Sequence, residues 1–407
     1  MIKIDEALDI IYNSIKEKSK HIIPIEDSIG LVTAKEYKAS FDLPRFDNSA
    51  MDGYAVKLDD AGSAVNIKEV IYAGDSPQEI LKKEEAIKIM TGAPIPNGCE
   101  AIVPIEDIDF LTKTSIILPP TIKENAMIRW KGEDIKKGKI FLKAKKRVTG
   151  YTIALLASQG ITHIEVYRKP KVVIFSTGEE LKAHYEKIEP HQLYNSNAPM
   201  FYSRALELGC DVSYISSSGD TINELQSSIK EAMDADLILT SGGVSVGDKD
   251  FTIQAFKELG MEVLFSKVNI KPGKPTTFGK MNNCFVVNLP GNPLASMVNF
   301  EMFVKPIILK LSGTSSFYHS LITTKMRDDY RFRAGKYSVI LGEWDGDTFS
   351  PLDNQKSGMV SPLDKADGMI VMTPSINYLE KNQIVNMIPI KMNFQSDKRR
   401  DDLLFFK

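Results

Sequence analysis

The segment "ADLILTSGGVSVGDKD", residues 235–250, runs from an apolar stretch into a turn holding three glycines and two serines, then ends in Asp248 and Asp250. A short apolar run bounded by turn residues reads as a buried strand, and "FTIQAFKELG" after it carries helical spacing. The unit is therefore strand, bare loop, helix. Backbone N–H groups at such a turn suit an anion. Two carboxylates beside it suit a hard cation held against that anion. The other reading of Asp248 and Asp250 is as acids complementing a helix start.

Working outward, the same alternation spans Lys171 to Leu311: "KVVIF", "APMFYSRALELG", "DVSYIS", "TINELQSSIKEAM", "ADLILT", "FTIQAFKELG", "CFVVNLP" and "ASMVNFEMFVKPIIL". Strands alternating with helices predict parallel strands covered on both faces, a doubly wound α/β domain. Thr221 and Glu224 form a T-x-x-E capping box that predicts one helix start. In such sheets ligands collect beyond the C-terminal strand ends, where the glycine-rich turns lie.

The flanks differ. "MIKIDEALDIIYNSIK" places Ile4, Leu8, Ile11 and Ile15 at helical spacing, so the chain opens on an amphipathic helix. From Phe41 to about Lys146 short apolar runs are broken by Gly, Pro and Asp, a β pattern. "VTGYTIALLASQGI" returns to helix, with Gly160 as its stop, and short strands resume after "SGTSSF". The expected organisation is a discontinuous helical or linker domain (1–40 and 135–168), a β-rich domain (41–134), the α/β domain (169–313) and a small C-terminal β domain (314–407). The tail "SDKRRDDLLFFK" is expected to be poorly ordered, and no internal repeat is found.

A chain of 407 residues exceeds one ordinary core, which agrees with several domains. With 43% hydrophobic and 26% charged residues it is globular, and a net charge of −2 leaves no footprint for nucleic acid. Cys99, Cys210 and Cys284 are odd in number and lack C-x-x-C spacing, arguing against disulfides and zinc and for a reducing compartment. No stretch is apolar enough to span a membrane, so a cytoplasmic, soluble protein is expected.

Four further segments carry chemistry. "FSTGEEL" puts Ser176, Thr177 and Gly178 at a strand end ahead of Glu179 and Glu180, a second loop for phosphate and metal or an ordinary helix start. "NIKPGKPTTFG" sets Lys271 and Lys274 in a loop stiffened by prolines, as cations facing an oxyanion or as a solvated basic turn. "LPGNPLAS" supplies Pro290, Gly291 and Pro293, the last near a helix start; by itself it is only a strand–helix turn. "PRFDNSAMDGYAV" carries Asp47, Asn48, Ser49 and Asp52, more polar groups than a turn needs. Thr91 in "MTGAPIPNG" and Asp134 in "WKGEDIKKG" make weaker claims.

Together "FDNSAMDGYAV", "MTGAPIP", "GEDI", "FSTGEEL", "SGGVSVGDKD", "KPGKP" and "LPGNP" resemble, in order and over nearly the whole chain, the molybdopterin molybdenumtransferase family. These are the molybdenum insertases, which include the E domain of gephyrin. The resemblance implies an elongated four-domain homodimer whose α/β domain is similar to molybdopterin adenylyltransferases, with the partner's "DNSAMDGYA" region completing the cleft. It implies the reaction of adenylylated molybdopterin with molybdate to give molybdenum cofactor and AMP, with Mg²⁺. Carried over residue by residue, it assigns catalytic roles to Asp52, Glu180, Asp220, Asp250, Lys271 and Lys274. Glu180 and Asp250 become the metal ligands. Thr91, Asp134, Ser176, Thr177, Gly178, Ser241, Gly242, Gly243, Ser245, Gly247, Pro290, Gly291 and Pro293 become substrate-binding positions. Glu179, Asp248 and Phe251 depart from the commoner Asp, Glu and Tyr, and Cys99–Glu100 from a commoner Ala-Asp.

Two alternatives stand beside this. An ATP-using molybdopterin adenylyltransferase shares the α/β domain but needs neither flank. A gephyrin-like scaffold needs a fused domain and a long linker, which these residues do not include. A molybdopterin adenylyltransferase and molybdoenzyme maturation proteins are the expected protein partners, and no nucleic acid or membrane is expected.

Overall fold

The computed structural model describes residues 1–77, 79–176, 181–216, 222–242 and 251–391. Six strands form the central sheet: β1 (Lys171–Ser176), β2 (Asp211–Ser216), β3 (Leu237–Ser241), β4 (Glu262–Ser266), β5 (Thr277–Met281) and β6 (Cys284–Leu289). Their order is β2-β1-β3-β6-β5-β4. The first four in that order are mutually parallel, while β5 runs antiparallel to β6 and β4 antiparallel to β5.

Strand side chains alternate between faces, and both faces here are apolar. Val172, Ile174, Leu237, Leu239 and Val287 enter one core, while Val173, Phe175, Ile238 and Val286 enter another. Helices α1 (Ile4–Ser14), α3 (Asn197–Glu207), α4 (Ile222–Glu231), α5 (Phe251–Glu258), α6 (Pro293–Asn299) and α7 (Lys305–Leu311) are distributed accordingly, while α2 (Gly150–Ser158) packs in a separate core. Residues of α1, α3, α6 and α7 cover the first face, and those of α4 and α5 the second. The doubly wound layering follows from that alternation. The segment joining α6 to α7, Phe300–Val304, is a π-helical turn, so the single helix that the spacing predicts is interrupted. Thr221, the first member of the expected capping box, lies outside the described residues, as does the tail.

Around this core stand three smaller units. A six-stranded sheet is built from 101–104, 53–56, 85–89, 64–71, 115–117 and 109–112, in that order. Residues 20–24 pair with 163–167, and 37–38 with 140–142, so β-ladders join the two separated segments, with α2 in the second of them. Thr149 caps α2 and Gly160 follows it at φ +66°, a conformation that favours glycine. In the C-terminal barrel 337–344, 348–351, 322–326, 384–389 and 368–372 pair in turn, and the last closes back on the first.

The opening helix differs from the grouping expected for residues 1–40. Its stripe of Ile4, Ala7 and Ile11 is buried in the first core of the α/β domain, and Ile2 bridges Val268. Lys18 is tied to the same domain by an ion pair of 2.5 Å with buried Asp236. The apolar stripe goes where a large apolar face is already present.

Ile11→Ala should therefore lower unfolding free energy by about 2–5 kcal/mol, the range for emptying a packed core site. Ile22→Ala, at a residue 68% exposed, should stay within about 0.5 kcal/mol. Urea unfolding followed by far-UV circular dichroism compares the two.

Candidate functional site

Parallel pairing sets Ser176 beside Ser241 and Ser241 beside Leu289, so β1, β3 and β6 end on one rim. Asn197, the first residue of α3, is buried against that rim and donates its amide to Ser241 Oγ (2.7 Å) and to the Gly291 carbonyl (2.7 Å). One carboxamide thus ties two strand ends to one helix start. Gly242 sits at φ +90°, where a side chain is strained, and its N–H donates to the Leu289 carbonyl at 3.2 Å. Pro293 opens α6, where a missing N–H costs nothing, and Ser296 Oγ donates to the Pro290 carbonyl. Ser176 is described by its backbone alone. Thr177, Gly178, Glu180, Asp220, Gly243, Ser245, Gly247 and Asp250 lie outside the described residues.

The "KPGKP" loop leaves the same rim toward the barrel. Ile270 and Lys271 add a short parallel pairing to Tyr337 and Ser338 of the barrel. Asn299, fully buried in α6, donates to the Gly273 carbonyl (3.1 Å) and to the Ala295 carbonyl (2.9 Å), and Thr276 Oγ1 donates to the same Gly273 oxygen (3.0 Å). Gly273 has φ +110°, and a Cβ there would overlap the Asn299 carboxamide. The loop backbone is fixed by buried hydrogen bonds at Gly273, while the Lys271 and Lys274 side chains are exposed.

Between this loop and the barrel lies a cleft of about 700 Å³. Lys271 and Lys274 line it from one side, and Arg333, Lys336 and Lys356 from the other. Asp353 is the one carboxylate among the described lining residues, and none of the five cations has an ion-pair partner among the described residues. Unpaired charges of one sign in a cleft with low-dielectric walls reinforce one another's field. Asn292 donates to Ser357 Oγ (3.3 Å), and the Leu294 N–H donates to the Ser357 carbonyl (3.0 Å), docking the barrel on the "LPGNP" turn.

Asp52 and Thr91 are brought together elsewhere. The Thr91 N–H and Oγ1 both donate to Asp52 Oδ1, at 2.7 and 2.8 Å. The backbone hydrogen bond first, then the hydroxyl, hold the Asp52 carboxyl below its ordinary range. Beneath them Asn48 and Ser49 are buried; Asn48 Nδ2 donates to the Phe46 carbonyl (3.0 Å), and Ser49 Oγ to that of Met51 (2.5 Å). Asp134 is exposed and borders a different, polar hollow with Gly132, Lys136 and Lys139. Neither Asp52 nor Thr91 lines the cationic cleft of its own chain.

Sequence reasoning missed Asn197, Asn299, Arg333, Lys336 and Lys356. An asparagine inside the apolar run "ASMVNFEMFV" was the legible signal for Asn299. The barrel cations sit in "YRFRAGKYS" and "NQKSG", where no spacing announces a site. The Glu100 carboxylate accepts the Leu58 N–H at 2.9 Å and pairs with Lys57.

A doubly wound domain that meets a closed barrel across a cationic cleft defines a multidomain protein with a cleft suited to an anion. Residues 2–160 match the MoeA N-terminal region (domain I and II), 173–310 a probable molybdopterin binding domain, and 323–390 the MoeA C-terminal region (domain IV). The chain is 32% identical over 418 residues to a molybdopterin molybdenumtransferase of Staphylococcus aureus (strain COL), covering 99% of this chain and 98% of that one. A Staphylococcus epidermidis protein of the same name is 31% identical over 405 residues, covering 96% of each chain. The solved molybdopterin biosynthesis MoeA protein of Pyrococcus horikoshii superposes with a TM-score of 0.80 at 27% identity, over 96% of this chain and 100% of that one. The chain belongs to the molybdopterin molybdenumtransferase (MoeA) family, enzymes of molybdenum cofactor biosynthesis.

Two outcomes follow from this geometry. Thr91→Ala should raise the Asp52 pKa toward the ordinary carboxylate value, measured by carboxyl-carbon NMR titration. The sign is that of a depressed acid: its stabilisation is present above the unfolded-state pKa and is lost as pH falls through the lower folded-state value. Gly273→Ala should lower stability by at least about 1 kcal/mol, because both the backbone and Asn299 must move. Its thermal unfolding midpoint, compared with wild type, is the check.

Proposed function

We propose that the enzyme inserts molybdenum from molybdate into adenylylated molybdopterin, releasing AMP and molybdenum cofactor in a Mg²⁺-dependent reaction. The observation that carries this is the cleft itself, where among the described residues five cations without ion-pair partners face one carboxylate beside the strand-end rim. A tetrahedral dianion needs such a surplus, since each charge pair at about 4 Å contributes roughly 1 kcal/mol in water and about 4 at an effective dielectric of 20. Lys271 and Lys274, on a loop locked by Asn299, would meet the anion without reorganising. Arg333 and Lys336 would hold its other side. The rim turn at Gly291 would receive the nucleotide phosphate on its backbone N–H.

Mg²⁺ would be held by Glu180 and Asp250, on loops that follow the neighbouring parallel strands β1 and β3. When bound it neutralises pyrophosphate charge. The acids of those two loops are the donor set to test. The chain's own contribution is positioning and charge stabilisation while the phosphoanhydride breaks and AMP leaves.

The same reading places the work in a homodimer. Asp52 and Thr91 form an ordered, polar pair away from the cleft of their own chain, with Phe46, Met51, Met127 and Trp130 exposed in the same region. A second copy would supply that pair to the cleft. A cytoplasmic setting agrees with three free cysteines and with the absence, among the described residues, of a helix long and apolar enough to cross a membrane. A molybdopterin adenylyltransferase upstream and molybdoenzyme maturation proteins downstream are the partners this reaction calls for.

Incubation with adenylylated molybdopterin, Mg²⁺ and molybdate should release AMP in proportion to cofactor formed. ATP consumption with pyrophosphate release would replace this reading with adenylyl transfer. Lys271→Ala and Lys274→Ala should each weaken molybdate half-saturation or nucleotide affinity about tenfold, the effect of roughly 1.4 kcal/mol. In mixed dimers, Asp52→Ala with Glu180→Ala should recover activity through one intact composite site, and no recovery in verified heterodimers sinks the shared-site assignment.

A further inference from the structure

A second recess opens beside the rim, between the 183–185 segment, the start of α3 and the exposed face of β2. Its volume is about 230 Å³, and Tyr185, Tyr202, Tyr214, His184, Asn195 and Pro199 form its walls. The tyrosines are 81%, 38% and 47% exposed, so three rings face outward where packing would normally cover them. His184 stands edge-on to Tyr185 at 5.3 Å, which steadies the outermost ring. No Lys, Arg, Asp or Glu occurs among the described lining residues, in contrast to the five cations of the main cleft. The recess therefore suits an uncharged planar group. It falls below the roughly 300–1,000 Å³ of a site for a whole drug-sized ligand, so it fits one ring system.

The chain connects this recess to the rim. Asn195 lines it and fixes the first turn of α3 by accepting the Ala198 N–H on Oδ1 at 3.1 Å. Asn197, two residues on, is the clamp that holds Ser241 Oγ and the Gly291 carbonyl. Two residues span at most about 7 Å. A ligand with a ring at one end and a phosphate a sugar's length away would reach both. On the other side, Ala183 lies three residues beyond Glu180, at the end of the first glycine-bearing loop.

We propose that this tyrosine-lined recess binds the planar nitrogen heterocycle of a phosphate-bearing ligand, by stacking, while the rim holds its phosphate. The inference rests on the proposed function for its two candidate rings, the adenine and the pterin of the adenylylated substrate. Stacking on aromatic side chains contributes through the ring face and tolerates either ring.

Calorimetric titration with AMP, ribose 5-phosphate and 6-hydroxymethylpterin separates the possibilities. Wild type should bind AMP more tightly than ribose 5-phosphate. Tyr185→Ala and Tyr214→Ala should each weaken AMP about tenfold, leave ribose 5-phosphate unchanged, and keep the wild-type melting temperature, with Tyr185→Phe restoring affinity. A loss confined to 6-hydroxymethylpterin assigns the recess to the pterin instead and also supports the proposal. Unchanged affinity for both rings in both alanine variants overturns it, as does an equal loss for ribose 5-phosphate, or wild type binding neither ring. These are binding measurements without turnover, so ring-dependent affinity in a protein that fails to release AMP would reject the proposed reaction and keep the recess.

Discussion

Parallel pairing of β1, β3 and β6 in one register is the constraint from which the rest of the site follows. Strands that run the same way end at the same edge, and there their last backbone groups lose sheet partners. In this chain one helix-start carboxamide meets the Gly291 carbonyl and the Ser241 hydroxyl, and one backbone turn closes on a strand end. Asn197 serves the Ser241 and Gly291 ends, and Gly242 turns back to the Leu289 carbonyl. The same edge that must be repaired is the edge that remains open to an anion. Structural repair and ligand reception therefore use adjacent groups, and the carboxamides that perform the first set the geometry of the second.

The treatment of charge separates scaffold from site. Glu301, almost wholly buried in the π-helical turn, is met by Arg204 (2.6 Å) and Lys305 (3.4 Å), and Asp236 by Lys18 and Arg168. Buried carboxylates of this kind would be costly alone, and each has its cations. The cleft follows the opposite rule: Lys271, Lys274, Arg333, Lys336 and Lys356 stand with one carboxylate among their described neighbours. Mutual repulsion of these cations is a cost in the free protein that a bound dianion, as in the proposed reaction, would relieve. That differential is what gives a structural cleft an affinity.

Much of this was legible in the sequence, and the division has a physical basis. Alternation of Val172/Ile174 against Val173/Phe175 is a local pattern that fixes the layer each side chain enters, so the doubly wound sheet could be read directly. Gly242, Pro293 and the "KPGKP" loop were legible because backbone conformation restricts residue type at those points. Arg333 and Lys336 were not, since they reach the site only when a closed barrel docks on the "LPGNP" turn, and no spacing along the chain encodes that contact. The opening helix is intermediate. Its amphipathic stripe was plain, but a stripe specifies that something must be covered and not which surface does the covering.

Asn299 joins these levels. A carboxamide in the apolar run of α6 costs burial free energy unless its hydrogens are donated, and both known acceptors, Gly273 and Ala295, lie within 3.1 Å. Meeting that requirement draws the "KPGKP" backbone onto the helix, and the draw is close enough that only glycine fits at position 273. Lys271 and Lys274 then project from a loop whose backbone is set from beneath, while its outer edge pairs with the barrel at Tyr337 and Ser338. The loop is gripped on two sides by different domains. The separation of its lysines from Arg333 and Lys336 is consequently a property of how the barrel seats on the α/β domain, so changes at that seam should alter anion binding without touching any cation.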